Sequence, residues 1–363
     1  MRIVHVLGTR PNFVKMAPVI AALRERMPES EQVIVHTGQH YDRLMSEIFF
    51  EQLGVPAPDH MLEIGSGTHA EQTAKVMERL EPLLLADPPD LVVVPGDVNS
   101  TVAAALTATK LGIPVAHIES GLRSYDRTMP EEINRILTDA IADQLYVHSE
   151  EAVGNLTREN IPEEKIHFVG NTMIDSLVAL EDRFRPLAAS AQYGLEAGTY
   201  LLVTLHRPAL VDGPLLFEAV AALSSISHEI PVLFPVHPRT RARLATDAEV
   251  APGLKLVDPV GYLEFLSLEA DAKAVLTDSG GIQEETSYLG VPCFTLRDNT
   301  ERPVTVELGT NTMIGLDPAR IKEIPHLIEE VGSDRPEPPP LWDGHAAERI
   351  ADIIAGDTDD TDD

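Results

Sequence analysis

Cysteine is nearly absent. Cys293 stands alone in 363 residues, so an intrachain disulfide is excluded. Long apolar runs are missing too, and none approaches the roughly 20 residues that a membrane-spanning helix needs. The first residues, Met1 to Gly8, are apolar only briefly before Thr9-Arg10-Pro11. They read as a strand and its turn rather than a secretory leader, and the expectation is a cytoplasmic protein. Positive charge is in short supply: 28 Lys and Arg face 58 Asp and Glu, a net charge of −30. That balance argues against nucleic acid or an anionic membrane as partner. Lysine is the scarcer cation (Lys15, Lys75, Lys110, Lys165, Lys255, Lys273 and Lys322), and the acid excess is diffuse apart from a tail at Asp357–Asp363. A diffuse acidic surface poor in lysine predicts a halophilic protein, working where salt screens self-repulsion.

Several catalytic signatures are also lacking. There is no Walker loop, no G-x-S-x-G and no Ser-x-x-Lys. Gly65-Ser66-Gly67-Thr68-His69-Ala70 matches G-x-G-x-x-A, but no ribose acid follows, and it reads as a loop leading to a helix. His36 and His40 are four apart with Gly38 between them, a poor zinc pair. No metal site is expected.

What is present is alternation. Short apolar runs at Ile3–Leu7, Gln32–Thr37, Leu91–Pro95, Val115–Ile118, Gln144–His148 and Ile166–Val169 read as strands. Amphipathic runs at Val14–Arg26, 42–53, Ala70–Leu85, Ser100–Leu111, Glu131–Ile141 and Glu150–Glu159 separate them. The second half repeats the scheme with strands at Tyr200–Leu205, Pro231–Pro235, Leu254–Val257, Ala274–Thr277 and Cys293–Leu296. Helices there are expected at Leu215–Ser225, Thr240–Leu244, Leu263–Glu269, Gly281–Leu289, Ala319–Glu330 and His345–Ile354. Such βαβ order predicts an α/β protein with two Rossmann-like domains, 1–172 and 173–355, followed by a disordered acidic tail, 356–363. Ligands of such sheets bind at the carboxyl ends of the strands, here in a cleft between the halves.

The residues at those ends are the candidates. Ala274–Thr277 runs into Asp278-Ser279-Gly280-Gly281-Ile282-Gln283-Glu284-Glu285. Two glycines allow close backbone approach, and the helix start offers free N–H groups to a phosphate. Its plainer reading is a strand–helix turn capped by Ser279. Arg10 and Lys15 follow the first strand as a possible diphosphate clamp. Asp97 ends the third strand run, before a helix expected to be capped by Asn99 or Ser100. Glu119 ends the fourth, and Glu131 and Glu132 begin the helix after Pro130, where the helix dipole alone would favour them. Three acids on one rim could supply a general acid and a general base. His206 and His237 end strands of the second half and could bind phosphate or carry protons. Thr300-Glu301-Arg302-Pro303 adds a cation.

Taken together and in order, Gly8-Thr9-Arg10-Pro11, Gly96-Asp97, His117–Arg123, Pro130–Arg135, Gly170-Asn171-Thr172, His206-Arg207, Asp278–Glu285 and Thr300–Pro303 resemble the non-hydrolysing UDP-N-acetylglucosamine 2-epimerases over nearly the whole chain. The resemblance implies a GT-B-type fold, a homodimer, and a last helix that packs back on the first domain. It implies interconversion of UDP-N-acetylglucosamine and UDP-N-acetylmannosamine, by elimination of UDP to 2-acetamidoglucal and re-addition, with no nicotinamide and no metal. The proton carriers are then drawn from Asp97, Glu119 and Glu131, with His206 near the leaving phosphate or in proton transfer. UDP falls to Arg10, Lys15, His237, Ser279, Gly280, Gly281 and Arg302, with Glu285 on the ribose and Phe265 near uracil. A hydrolysing epimerase, a GT-B glycosyltransferase and an inactive sugar-nucleotide binder are the alternatives. The chain departs from the family pattern at Ala209-Leu210, where Glu-Asn is common, and at Val304, where Glu is usual. It also departs at Gln39-His40-Tyr41-Asp42 and Gly67, where bacterial members hold a second, activating substrate molecule. Substrate activation is therefore expected to be weak or absent.

Overall fold

The structure, a computed structural model, describes residues 1–38, 52–244, 251–332 and 335–356. It divides into two compact units, one of residues 1–178 with the segment from Pro340 onward, the other of residues 179–339. In the first unit β1 (Arg2–Leu7), β2 (Glu31–His36), β3 (His60–Met61), β4 (Leu91–Pro95), β5 (Val115–Ile118), β6 (Gln144–Val147) and β7 (Ile166–Phe168) form one parallel sheet. Its order is β3-β2-β1-β4-β5-β6-β7. The direction of winding reverses between β1 and β4, which makes the turns after those two strands the natural ligand position.

The sequence dictates this layering. Residues of β4 are buried at every position, because helices cover both faces of the sheet. Alternate residues of β1, β2 and β4 feed two cores. Val4, Val6, Val33, Val35, Val92 and Val94 join one; Ile3, Leu7, Ile34, Leu91 and Val93 join the other. The first core takes the small face of helix Asn99–Lys110, with Ala103, Ala104, Ala105 and Ala108 all buried. The second takes Phe13, Met16, Val19 and Ile20 of helix Arg10–Arg26, together with Ala347, Ile350, Ala351 and Ile354 of the last helix, Ala346–Ala355. Asp175 holds that last helix by accepting the N–H groups of Ala346 and Ala347 at 3.2 and 2.6 Å. Burial pushes the Asp175 carboxyl up to about 6 despite those bonds. Just upstream, Gly170 has φ +93, and a Cβ there would strike the Leu341 carbonyl oxygen.

The second unit carries β8 (Leu201–Thr204), β9 (Val232–Pro235), β10 (Leu254–Val257), β11 (Ala274–Thr277), β12 (Cys293–Thr295) and β13 (Asn311–Met313). They too are parallel, in the order β10-β9-β8-β11-β12-β13, with the reversal between β8 and β11. The fold is α/β, two Rossmann-like domains of GT-B type.

Some elements differ from expectation. The first helix begins at Arg10, not Val14, because Pro11 fits the first turn and the Asn12 side chain accepts the Gly8 and Thr9 N–H groups. Neither Asn99 nor Ser100 caps the helix after Asp97. The cap position is Val98, Asn99 bonds Gln72 at 2.7 Å, and Ser100 bonds Thr37 at 2.8 Å. The single helix expected over Ala319–Glu330 is a 3-10 segment, Pro318–Glu323, followed by helix Ile324–Val331, with Pro325 in the latter's first turn. The loop containing Gly65 and Gly67 does lead into a helix, His69–Ala86, whose Thr68 cap and Glu71 complete a capping box. The helix expected over 42–53 lies almost wholly outside the described residues, as do His40 and the acidic tail. Among the described residues no helix is long and apolar enough to cross a membrane.

Candidate active site

In the first unit the turns after β1, β4 and β5 converge. Asn12 links two of them by donating from Nδ2 to the Pro95 carbonyl at 3.3 Å while its Oδ1 holds Gly8 and Thr9. Lys15, one helical turn further on, donates to Glu119 Oε2; both side chains are more than nine-tenths buried. Their charges meet beside Gly96, whose missing Cβ would stand 3.2 Å from Lys15 Nζ and 3.3 Å from Glu119 Oε2. Glu119 has φ +66, a left-handed conformation uncommon for a glutamate. The structure thus gives Lys15, expected to meet phosphate, a carboxylate partner in its own unit. Arg10 lies exposed at the start of its helix.

Asp97 Oδ2 receives Arg135 Nη2 at 2.8 Å and Nε at 3.2 Å, while the Asn134 amide donates to the Asp97 carbonyl at 2.9 Å. Arg135 also pairs with Glu132. Glu132 is buried and accepts the N–H groups of Ser124 and Tyr125, each at 2.9 Å. The two neighbouring glutamates therefore separate in role. Glu132 builds the loop after β5, and half-buried Glu131 is left at the helix start.

The second unit gathers the other candidates at the ends of β8 and β11. Asp278 accepts the N–H groups of His206 and Arg207 at 2.9 and 2.7 Å, and its Oδ1 is 2.8 Å from His206 Nδ1. Burial would raise the Asp278 carboxyl, but the hydrogen bond and charge of His206 hold it below the usual carboxylate range. The His206 side chain is 59% exposed, so the carboxylate orients a ring that still reaches solvent. Ser279 occupies the cap position of helix Gly280–Leu289, yet its side chain makes no capping bond. The plain capping reading thus leaves the hydroxyl unexplained. A Cβ on Gly280 would collide with the Arg302 guanidinium, which pairs with Glu284 at 2.8 Å and Glu301 at 2.7 Å. Exposed His237 follows β9.

Glu285 is buried and accepts the Tyr262 hydroxyl at 3.0 Å; Tyr262 opens helix Tyr262–Ala270, which also carries half-buried Phe265. Glu269 of the same helix is fully buried, and neither of its carboxylate oxygens has a hydrogen-bond partner among the described residues. Burial, followed by the charge of Glu285, pushes the Glu269 carboxyl well above the usual range. Burial pushes Glu285 itself up to about 7, against the Tyr262 hydrogen bond. A sugar hydroxyl donates best to an ionised carboxylate. Were Glu285 to receive the ribose, as the resemblance implies, affinity for a nucleotide sugar should be weak below about pH 7, rise as pH passes through it, and level off above. Titration calorimetry of an Asp97→Asn variant with UDP-N-acetylglucosamine, which has no phosphate ionisation in that range, checks the sign. A flat profile would separate Glu285 from the ligand.

Sequence reasoning names Arg135 and Asp278 within motifs without giving either a role, and it passes over Tyr262. Asp278 has the same signal as Asp97, an acid at the end of an apolar strand. Tyr262 has no comparable signal, since its partner is 23 residues away. The departures Leu210 and Val304 are buried apolar positions, and Leu210 belongs to the core of its unit.

A double Rossmann-like scaffold with acids on one sheet's rim and a Ser-Gly-Gly helix start on the other's defines a nucleotide-sugar enzyme of GT-B type. The profile of the UDP-N-acetylglucosamine 2-epimerase family matches residues 22–355, and the chain belongs to that family. It is 43% identical over 366 residues to the UDP-N-acetylglucosamine 2-epimerase of Methanocaldococcus jannaschii, covering 98% of this chain and 99% of that one. It is equally 43% identical over 364 residues, with the same coverage, to the UDP-2,3-diacetamido-2,3-dideoxy-D-glucuronate 2-epimerase of Pseudomonas aeruginosa. The crystal structure of the Methanocaldococcus jannaschii enzyme in complex with UDP-GlcNAc and UDP superposes with a TM-score of 0.86 at 42% identity, covering 98% of this chain and all of that one.

Proposed function

We propose that the protein interconverts UDP-N-acetylglucosamine and UDP-N-acetylmannosamine. The observation that carries this reading is the joint presence of Asp97, Glu119 and Glu131 in one unit and the Ser279–Gly281 turn in the other, in a chain so similar to an enzyme of that name. A carboxylate removes the C2 proton while the C1–O bond breaks and UDP departs, leaving 2-acetamidoglucal. A carboxylic acid then returns a proton to the opposite face of C2 as a diphosphate oxygen rejoins C1. Asp97, Glu119 and Glu131 supply these carriers, and Lys15 pairs with Glu119. His206, oriented by Asp278, meets the leaving phosphate. Ser279, Gly280, Gly281, Arg302, His237 and Arg10 receive the diphosphate; Glu285 and Phe265 receive the ribose and uracil.

The test is incubation with UDP-N-acetylglucosamine in D₂O followed by NMR. The manno epimer with deuterium at C2 is expected. Free UDP with free sugar would indicate hydrolysis, and no exchange without an acceptor would remove both epimerase readings. The Pseudomonas aeruginosa relative gives a second sugar equal footing, so UDP-2,3-diacetamido-2,3-dideoxy-D-glucuronate belongs in the same assay. C2 inversion is common to both, and the faster substrate identifies the sugar.

The same reading includes a cytoplasmic homodimer without substrate activation, supplying an activated amino sugar for polysaccharide biosynthesis. It also includes a salty interior. With a net charge of −30, raising KCl from about 0.1 M to about 1 M shortens the screening length from roughly 10 to 3 Å. Melting temperature should rise over that interval; equal stability in dilute buffer and molar KCl would remove the halophilic assignment.

A further inference from the structure

The proposed acid–base carboxylates ride on the turn after β4, the turn after β5 and helix Pro130–Ile141. One side chain is bonded to the first and the last of these and stands at the root of the second. His117, on β5, is fully buried. Its Nε2 lies 2.7 Å from the Gly96 carbonyl oxygen and its Nδ1 2.7 Å from Asp139 Oδ1. Asp139 belongs to helix Pro130–Ile141, and its other oxygen accepts the Gly121 N–H at 3.1 Å and the Arg123 guanidinium at 2.7 Å. A peptide carbonyl and an ionised carboxylate can only accept, so the geometry calls for a donor at each ring nitrogen. The surrounding charges permit it. Arg123 also binds Glu159 through Nε at 2.8 Å and Nη2 at 2.6 Å, so two cations and two anions balance.

A histidine that merely filled the core would be neutral, with one donor and one acceptor. Here a neutral ring would set a lone pair against an oxygen. The turns that the ring ties are also strained or tight: Gly96, Glu119 and Gly121 have φ of +65, +66 and +78. Such turns hold their shape only when their surroundings impose it.

We propose that His117 is a positioning residue for the reaction, its imidazolium fixing the Asp97 turn, the Glu119 turn and the Glu131 helix in one geometry. The proposal rests on the epimerase reading above. His117→Gln keeps one amide donor and turns a carbonyl toward the other acceptor, so one tie is lost. A misplacement of about 1 Å costs on the order of 10²-fold in rate. The expected result is a loss of that size in kcat for C2 exchange, with KM and UDP affinity changed by less than about threefold. Wild-type exchange with an unimpaired variant overturns the positioning role, as does a loss of UDP affinity that matches the loss of rate. An inactive wild type instead overturns the epimerase reading itself. Should the variant not fold, NMR of the wild-type protein labelled with ¹⁵N-histidine decides. Protons on both ring nitrogens of His117 at neutral pH are expected, and a bare nitrogen overturns the proposal.

Discussion

Asp97→Asn is expected to lower the rate of C2 deuterium exchange by roughly 10³-fold, within the span that a positioned acid or base commands. The substitution is isosteric, and the local frame does not depend on the charge of Asp97. The turn is held through main-chain atoms, with the Asp97 carbonyl bonded to the Asn134 amide and the Pro95 carbonyl bonded to the side chains of Asn12 and Thr101. Arg135 keeps Glu132 as a partner, so no cation is stranded. What is lost is a carboxylate oxygen at a side chain that remains 26% exposed while its neighbours are sealed. UDP affinity should survive, since the residues assigned to UDP belong mostly to the other unit. The measurement pairs exchange by NMR with UDP titration. Exchange within tenfold of wild type would remove Asp97 from the chemistry, and parallel loss of UDP binding would show damage to the fold.

The chain positions of these groups were legible because burial on both faces turns each parallel strand into an apolar run, as at Leu91–Pro95, and whatever follows such a run lies at the sheet's carboxyl edge. Where that signal is weak, reading fails. β3 is two residues long, and β13 begins with Asn311, a polar residue buried because its amide serves Gln283 and Thr305. Pro11 looks like a turn residue but occupies the first turn of a helix, the one place in a helix that suits proline. Partnerships were harder still. The Lys15–Glu119 pair joins residues 104 apart, and nothing in either neighbourhood names the other. The buried chain from His117 to Glu159 looks, in sequence, like a histidine and a few surface charges. Only the packing of helix Pro130–Ile141 on β5 turns it into one network.

That network sets the second large effect. Arg123→Met should destabilise the first unit by about 3–5 kcal/mol, the usual result of removing one member of a buried ion cluster. The Arg123 side chain is 1% exposed and Asp139 is wholly buried, whereas Glu159 is 35% exposed and can turn to water. The damage therefore falls on Asp139. In the wild type, burial alone would raise that carboxyl, but the hydrogen bond and charge of His117, then those of Arg123, hold it below the usual range. A depressed native value stabilises above the ordinary carboxylate range, and that stability is lost as pH falls through the native value. Without Arg123 the depression shrinks, so the variant has less to lose in acid. The gap in stability between the two proteins should be widest near neutrality and narrow only as pH falls below the ordinary aspartate value of 3.8 toward the depressed native value. Urea denaturation at several pH values measures it. A gap that stays constant with pH would mean that Arg123 contributes through packing of its aliphatic stem, and a gap under about 1 kcal/mol would mean that water reaches Asp139 and the cluster is not sealed.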